Sequence, residues 1–249
     1  MKEIFQLLLT QPIYNLFVGM YNYIPDVGVV ILLITILIKI VLYPLTASSI
    51  KSQKALTDLQ PKLDALKKKH KGDQQKIGQE TMKMYKENKV NPFASCLPLL
   101  IQLPILIAFY YVLRMTLTAD SFGLLYSFVP NPEVINTVSL GFIELGTSSL
   151  ILALLAGGAQ FIQARMMSKK KAPVSAGSGA KDENMMAMMN KNMLYFMPVM
   201  TVFIGTQLPA GLTLYWFLST LLTAVQQWII FKKQKANEQV DVVEGKVIE

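Results

Sequence analysis

A single lysine interrupts an otherwise uncharged apolar run. Lys39 lies in VGVVILLITILIKIVLYPLT, Val27–Thr46, and is the only charge in those 20 residues. A cation in such surroundings has two uses. It can snorkel on its methylene stem to a nearby polar surface, or it can face a hydrated cavity and attract an anion. Thr35 stands four residues earlier, on the same helical face. Amides recur inside further apolar blocks at Gln102, Gln160, Gln163, Gln226 and Gln227, joined by Ser219. Gln160 and Gln163 share a face at i, i+3. Amides in apolar surroundings need partners from other helices or from water, so they either glue helices together or line the same cavity. No acid occurs in any of these blocks, which makes water or a transient anion the expected partner of Lys39. Other chemistry is poorly supplied. Cys96 is the one cysteine and His70 the one histidine, which excludes an intrachain disulfide framework, a cysteine zinc site and HExxH. Neither GxxxxGK[ST] nor GxGxxG occurs, so a phosphate-cradling loop is unsupported. No enzymatic activity, cofactor or metal is expected.

The blocks themselves define the elements. The chain has 249 residues, 52% hydrophobic and 16% charged, against about 25% charged in soluble domains. Mean hydropathy is +0.38. Beyond the first run, Phe93–Leu113 is 21 residues without charge, Ser148–Ala164 is 17, and Met193–Phe231 is 39. A spanning helix needs about 17–25 apolar residues, whereas buried core helices use about 10–14. The longest block carries Leu208-Pro209-Ala210-Gly211 near its middle and reads as two spans joined by a tight turn. The expected fold is an all-α membrane protein with five transmembrane helices.

Basic residues test that count independently. Eleven of the 24 Lys and Arg lie in 48–92, six in 165–192 and four from Lys232 onward. These segments follow spans one, three and five, so alternate loops are basic, as cytoplasmic loops are. The N-terminus is then outside and the C-terminus cytoplasmic. The resulting divisions are an interfacial segment 1–25, span one 26–47, a cytoplasmic helical hairpin 48–92, span two 93–114 and an outer loop 115–147. They continue with span three 148–165, a cytoplasmic loop 166–192, span four 193–208, span five 211–231 and a cytoplasmic tail 232–249. Residues 1–25 carry Pro12, Gln6, Gln11, Asn15 and Asn22 among apolar and aromatic residues. They suit a helix lying in the outer interface, with a cleaved signal peptide as the rival. Lys39 is seven residues before Thr46, about 10 Å along a helix, in the cytoplasmic half of a core about 30 Å thick.

In the hairpin, Leu56, Leu59, Leu63 and Leu66 make one helical face. His70-Lys71-Gly72-Asp73 breaks it, Ile77, Met84 and Tyr85 continue on a second helix, and Pro61 should kink or restart the first. Eleven lysines against five acids give the segment a charge of +6. It is either a solvated hairpin or a docking arm for acidic partners such as ribosomal RNA or a targeting receptor. Residues 167–192 are Lys-rich, then Pro/Gly/Ser-rich, then Met-rich. The cluster Met185, Met186, Met188, Met189 and Met193 is either the entry to span four or an adaptable apolar surface.

Two stretches carry a family resemblance: NPFASCLPLLIQLPILIAFYYVL at 91–113 and LPAGLTLYWFLSTLLTAVQQW at 208–228. With LQPKLDALKKKHKGD and QETMKMYKEN in the hairpin, the chain resembles the YidC insertase family, whose relatives include the mitochondrial oxidase-assembly and chloroplast Albino insertases. The likeness covers about residues 20–235 and is to the short, five-span bacterial form. It implies a membrane protein insertase and chaperone of the bacterial plasma membrane. In such proteins a hydrophilic groove opens to cytoplasm and lipid, and its cation attracts the acidic tail of a substrate. By that likeness Lys39 is the groove cation, where the family more often has arginine. Thr35 is the groove threonine, Gln160 the groove glutamine with Gln163 second, and Trp216 with adjacent Tyr215 the substrate-contacting aromatic position. Gln102 joins them as a groove residue. Lys67, Lys68, Lys69, Lys71, Lys232, Lys233 and Lys235 are the candidate docking lysines, if the basic segments serve as docking arms. The implied partners are nascent membrane proteins, the ribosome and membrane lipids, with the signal recognition particle, its receptor and the Sec translocon as further candidates. The rival class is a small anion-binding transporter or channel, which would show inverted repeats and broken helices. No repeat is present, although Pro98, Pro104 and Pro198 mark places for kinks.

Overall fold

Apolar residues three and four apart force helices whose one face packs inward, and helices dominate the chain. A computed structural model describes residues 2–70, 72–91, 97–116, 123–167 and 192–243. The elements are α1 (Lys2–Phe5), α2 (Gln11–Tyr23), α3 (Val27–Val41), α4 (Tyr43–Lys69), α5 (Gln74–Glu87), α6 (Leu97–Thr116), a two-stranded hairpin β1 (Val138–Ser139) and β2 (Ile143–Glu144), α7 (Leu150–Met167), α8 (Met197–Gly205) and α9 (Ala210–Val243). π-helical turns at Gln6–Thr10 and Asn192–Phe196 precede α2 and α8. The chain divides into two units. One holds 1–42, 99–160 and 197–222; the other holds 43–98, 161–196 and 223–249.

The first unit has one apolar core. Tyr14, Phe17 and Val18 of α2, Val30, Ile31 and Ile34 of α3, Phe109 and Val112 of α6, and Leu212 and Tyr215 of α9 are all buried in it. The opposite faces are equally apolar and exposed: Leu32, Leu37 and Ile40 on α3, Ile151, Leu154 and Leu155 on α7, Val199 and Phe203 on α8. Helices apolar on both faces belong in lipid. By length and composition α7 and the Ala210–Gln234 part of α9 each suffice to cross a membrane, and α3 with α4, broken at Leu42, makes a third candidate. Leu100–Thr116 and Leu194–Gly205 are apolar but shorter. The chain is a multi-pass membrane protein.

Small residues let α7 approach α8. Ala153, Ala156, Gly157 and Ala159 form its buried side. A β-carbon on Gly157 would collide with Val202 and lie 3.0 Å from the Pro198 carbonyl oxygen. Such small-residue contacts replace the missing hydrophobic drive between helices in lipid. At the turn into α9, the Ala210 and Gly211 amides donate to the carbonyls of Thr147 (2.7 Å) and Leu145 (2.9 Å). Thr213 Oγ1 donates to Gly205 O at 3.2 Å. The turn between α8 and α9 is thereby closed.

The structure departs from the sequence-based expectations at two prolines. The run 27–46 is not one helix: α3 ends at Val41 and α4 begins at Tyr43. Pro44 explains the break, because it has no amide to continue the α3 ladder and suits the first turn of a new helix. Lys39 therefore sits in the last turn of α3, nearer its helix end than the apolar run implied. Pro61, by contrast, neither restarts nor ends α4, which runs through it to Lys69. Pro104 likewise lies inside α6.

In the second unit, α4 and α5 meet across the turn at 70–73. Gly72 there has φ +98°, a left-handed conformation that glycine adopts freely. Asp73 caps α5 by accepting from the Lys76 amide at 3.0 Å. Leu56, Leu59 and Leu63 of α4 are buried, on the face that their spacing defines. Lys71 and the cluster Met185–Met189 lie outside the described residues, as does Cys96.

Segment 123–147 takes up the polar residues of α2. Asn15 Nδ2 donates to Leu124 O (3.0 Å) and its Oδ1 accepts from the Tyr126 amide (2.6 Å). Gln11 also donates to Leu124 O (3.1 Å), Asn22 to Pro130 O (2.8 Å), and Tyr21 Oη accepts from the Asn136 amide (2.8 Å). These residues fasten α2 to the loop. In β2, hydrogen bonds from the Thr137 side chain and the Gly146 amide hold the exposed Glu144 carboxyl below its ordinary range. That small contribution is present above the ordinary carboxylate pKa and is lost as pH falls through the lowered value.

Candidate functional site

Helix α3 supplies the cation through a simple repeat. Val27, Ile31, Thr35 and Lys39 are four residues apart and form one ridge. The first three are at most 2% exposed, and Lys39 is half-buried at the ridge's end. The exposed face of α3 centres on Leu37 and Ile40 instead. Lys39, seven residues after the partly exposed Leu32, stands at the border of the buried face and away from Leu37. Thr35 satisfies its hydroxyl locally, donating to Ile31 O at 2.6 Å. It is polar in the core without needing a partner on another helix.

Helices α6 and α9 bring together residues more than a hundred positions apart. Gln102 Nε2 donates to Tyr215 Oη at 2.7 Å, and Ser219 Oγ donates to Gln102 Oε1 at 3.1 Å. Tyr215 and Ser219 are one turn apart on α9. Phe109, two turns after Gln102 on α6, stacks on the Tyr215 ring with centroids 4.1 Å apart and planes 14° apart. Gln102 is half-buried, while Tyr215 and Ser219 are buried. A satisfied buried network of this kind fixes helix register. Trp216 is rotated about 100° from Tyr215 around the helix and is half-buried.

Gln160 closes a third polar contact. Its Oε1 accepts from Thr201 Oγ1 of α8 at 3.1 Å, and Thr201 is buried. Thr35, Lys39, Gln102, Gln160, Tyr215 and Trp216 all belong to the first unit. Gln163, three residues after Gln160 on α7, belongs to the second unit. Sequence reading missed Thr201 and left Ser219 without its connection to Tyr215. Spacing alone cannot find such contacts, because each bridges different helices.

In the second unit, Gln226 Nε2 donates to Thr46 Oγ1 (2.9 Å) and Tyr43 O (3.4 Å), holding the first turn of α4 just after the break. Gln226 is therefore glue between helices rather than a cavity wall. Lys68, Lys69, Lys232 and Lys233 are exposed and Lys67 is half-buried. Lys232 also lies 5.3 Å from the Trp228 ring centroid, a cation–π distance. Lys235 is helical, and its side chain lies outside the described set. Among the described residues no group of three or more His, Cys, Asp or Glu is placed to hold a metal.

Comparison with known proteins places these features in context. The family model described as 60Kd inner membrane protein matches residues 19–238. A membrane protein insertase YidC of Fusobacterium nucleatum subsp. nucleatum is 36% identical over 212 residues, covering 85% of this chain and 89% of the relative. One from Clostridium tetani is 36% identical over 207 residues, covering 83% and 81%. Another, from Oceanobacillus iheyensis, is 33% identical over 224 residues, covering 88% and 79%.

Proposed function

The chain belongs to the 60Kd inner membrane protein family of membrane protein insertases, and we propose that it inserts its substrates through a polar groove whose cation is Lys39. Its function is the insertion of membrane proteins, and its substrates are nascent membrane proteins. The anion-transporter alternative is not favoured by this membership. The observation that carries the groove reading is the α3 ridge: a half-buried lysine that follows buried Ile31 and Thr35 at four-residue spacing, turned away from exposed Leu37. Thr35, Gln102, Gln160, Tyr215 and Trp216 are its polar and aromatic companions in the same unit, and Gln163 is a weaker candidate.

The energetics need no nucleotide. A substrate span of about 20 residues, at about −0.3 to −0.6 kcal/mol each, gains about 6–12 kcal/mol on entering lipid. Each acidic residue at a membrane centre costs about 2.5–3.5 kcal/mol. The gain therefore offsets about two to four acids. A hydrated groove shortens the apolar barrier that a tail must cross, and a cation within it offsets part of the remaining cost. Partitioning of the apolar span then makes the transfer one-way.

The topology proposed for this mechanism has five spans, with 48–92 cytoplasmic and 115–147 outside. It is supported by the alternation of basic and non-basic segments. In a chain with Cys96→Ser, a cysteine at Asn136 should be labelled by an impermeant reagent added to intact cells. A cysteine at Lys67 should be labelled only after lysis. Labelling of position 67 in intact cells would overturn this topology.

Docking is proposed for Lys67, Lys68, Lys69, Lys71, Lys232, Lys233 and Lys235, with the ribosome as the acidic partner. The signal recognition particle, its receptor and the Sec translocon are further candidates for the same surface. Replacing these lysines by alanine should weaken ribosome-dependent insertion, and added salt should weaken the parent chain in the same way. Substrates delivered without ribosomes should be affected less. Equal loss for both delivery routes would assign the lysines a structural role instead.

A further inference from the structure

We propose that the tip of the β1–β2 hairpin, Leu140 and Phe142, is a lipid anchor seated in the headgroup–acyl boundary of the bilayer that α3 enters. Leu140 is 62% and Phe142 77% exposed, flanking Gly141 at the apex of the turn. Both Leu140 and Gly141 have positive φ, +53° and +79°. A tight hairpin turn of this kind ordinarily takes Asn, Asp or Gly at such positions. A leucine held there is locally unfavourable, and with most of its surface exposed it gains little from the protein's own core. An apolar medium outside the chain supplies the missing contribution.

The hairpin is fixed to the start of α3. The Asp26 carboxylate accepts from the Val29 amide (3.0 Å), capping that helix, and also from Ser139 Oγ (2.5 Å) and the Leu140 amide (2.6 Å). Gly28 permits this approach, since a β-carbon there would collide with the Ser139 side chain. One carboxylate thus ties the turn to the level at which the apolar residues of α3 begin, which is where the bilayer interface lies. Segment 115–147 contains no lysine or arginine, so headgroup charge is not the attraction. An aromatic and an aliphatic side chain at interface depth are what lipid itself accepts. The proposal rests on the membrane reading of α3 alone and needs neither a particular orientation nor insertase activity.

The test is fluorescence of a Phe142→Trp chain carrying Trp216→Phe and Trp228→Phe, in nanodiscs of phosphatidylcholine. Position 142 is exposed enough to take tryptophan without disturbing the fold. Its emission should be blue-shifted, quenched by lipids brominated high on the acyl chain, and shielded from aqueous iodide. Emission that iodide quenches and brominated lipid does not would overturn the proposal. Shielding from iodide without quenching by brominated lipid would overturn it too, because protein would then cover the tip. Incorporation into nanodiscs requires no insertion activity, so failure here leaves the functional reading standing.

Discussion

Lys39→Glu should abolish insertion of substrates with acidic translocated tails, Lys39→Ala should impair it strongly, and Lys39→Arg should preserve it. The magnitude follows from Coulomb's law. A carboxylate about 6 Å from the ammonium gains about 3 kcal/mol at an effective dielectric of about 20, but only about 0.7 kcal/mol in bulk water. The alanine variant should therefore lose between about threefold and about a hundredfold in rate, and the measured value reports how wet the groove is. Arginine places the same charge at similar depth, although its planar fork has a different geometry. Glutamate reverses the attraction. Substrates with neutral tails should be affected much less by all three variants. Protein level and protease resistance must stay constant, because a lysine that merely anchored α3 to headgroups would alter stability for every substrate alike. Equal loss for neutral and acidic tails would point to that structural role.

Gln102→Leu should destabilise the whole helix assembly without discriminating between substrates. It removes the hydrogen bonds to Tyr215 and from Ser219. At about 0.5–1.5 kcal/mol net for each, the cost is about 1–3 kcal/mol. Tyr215→Phe keeps the stack on Phe109 and should cost less. Because the two residues share a network, the double variant should lose less than the two single losses combined. Thermal unfolding in detergent measures this directly. Strict additivity would show that the Gln102–Tyr215 contact is not energetically coupled. Insertion of acidic and neutral tails should fall together in Gln102→Leu, in contrast to the Lys39 variants.

Much of this was legible in the sequence because membranes impose simple rules. Uncharged runs marked the apolar helices, and the lone charge among them marked Lys39. The two long motifs at 91–113 and 208–228 pointed to the family that the comparisons then showed. The break at Leu42 was harder, since Tyr43-Pro44-Leu45 is apolar enough to extend the run while Pro44 starts a new helix. Pro61 did not restart the helix: a proline costs a helix one hydrogen bond and some steric strain, yet α4 continues through it to Lys69. The polar residues of α2 argued against a membrane span, but did not show that several of them bond the backbone of segment 123–147. Gln102, Tyr215 and Ser219 were each visible as polar or aromatic, but their connection depends on how α6 packs against α9. Spacing along one helix carries no record of that packing.

The most direct measurement is insertion into liposomes containing only the purified chain and lipid, without nucleotide. Two substrates are compared that differ solely in whether the translocated tail carries acids or their amides, each with the parent chain and with Lys39→Ala. The expected result is nucleotide-free insertion of both by the parent, with the alanine variant failing selectively on the acidic tail. Acidic-tail insertion by Lys39→Ala at the parent rate would contradict a groove that works through the charge of Lys39.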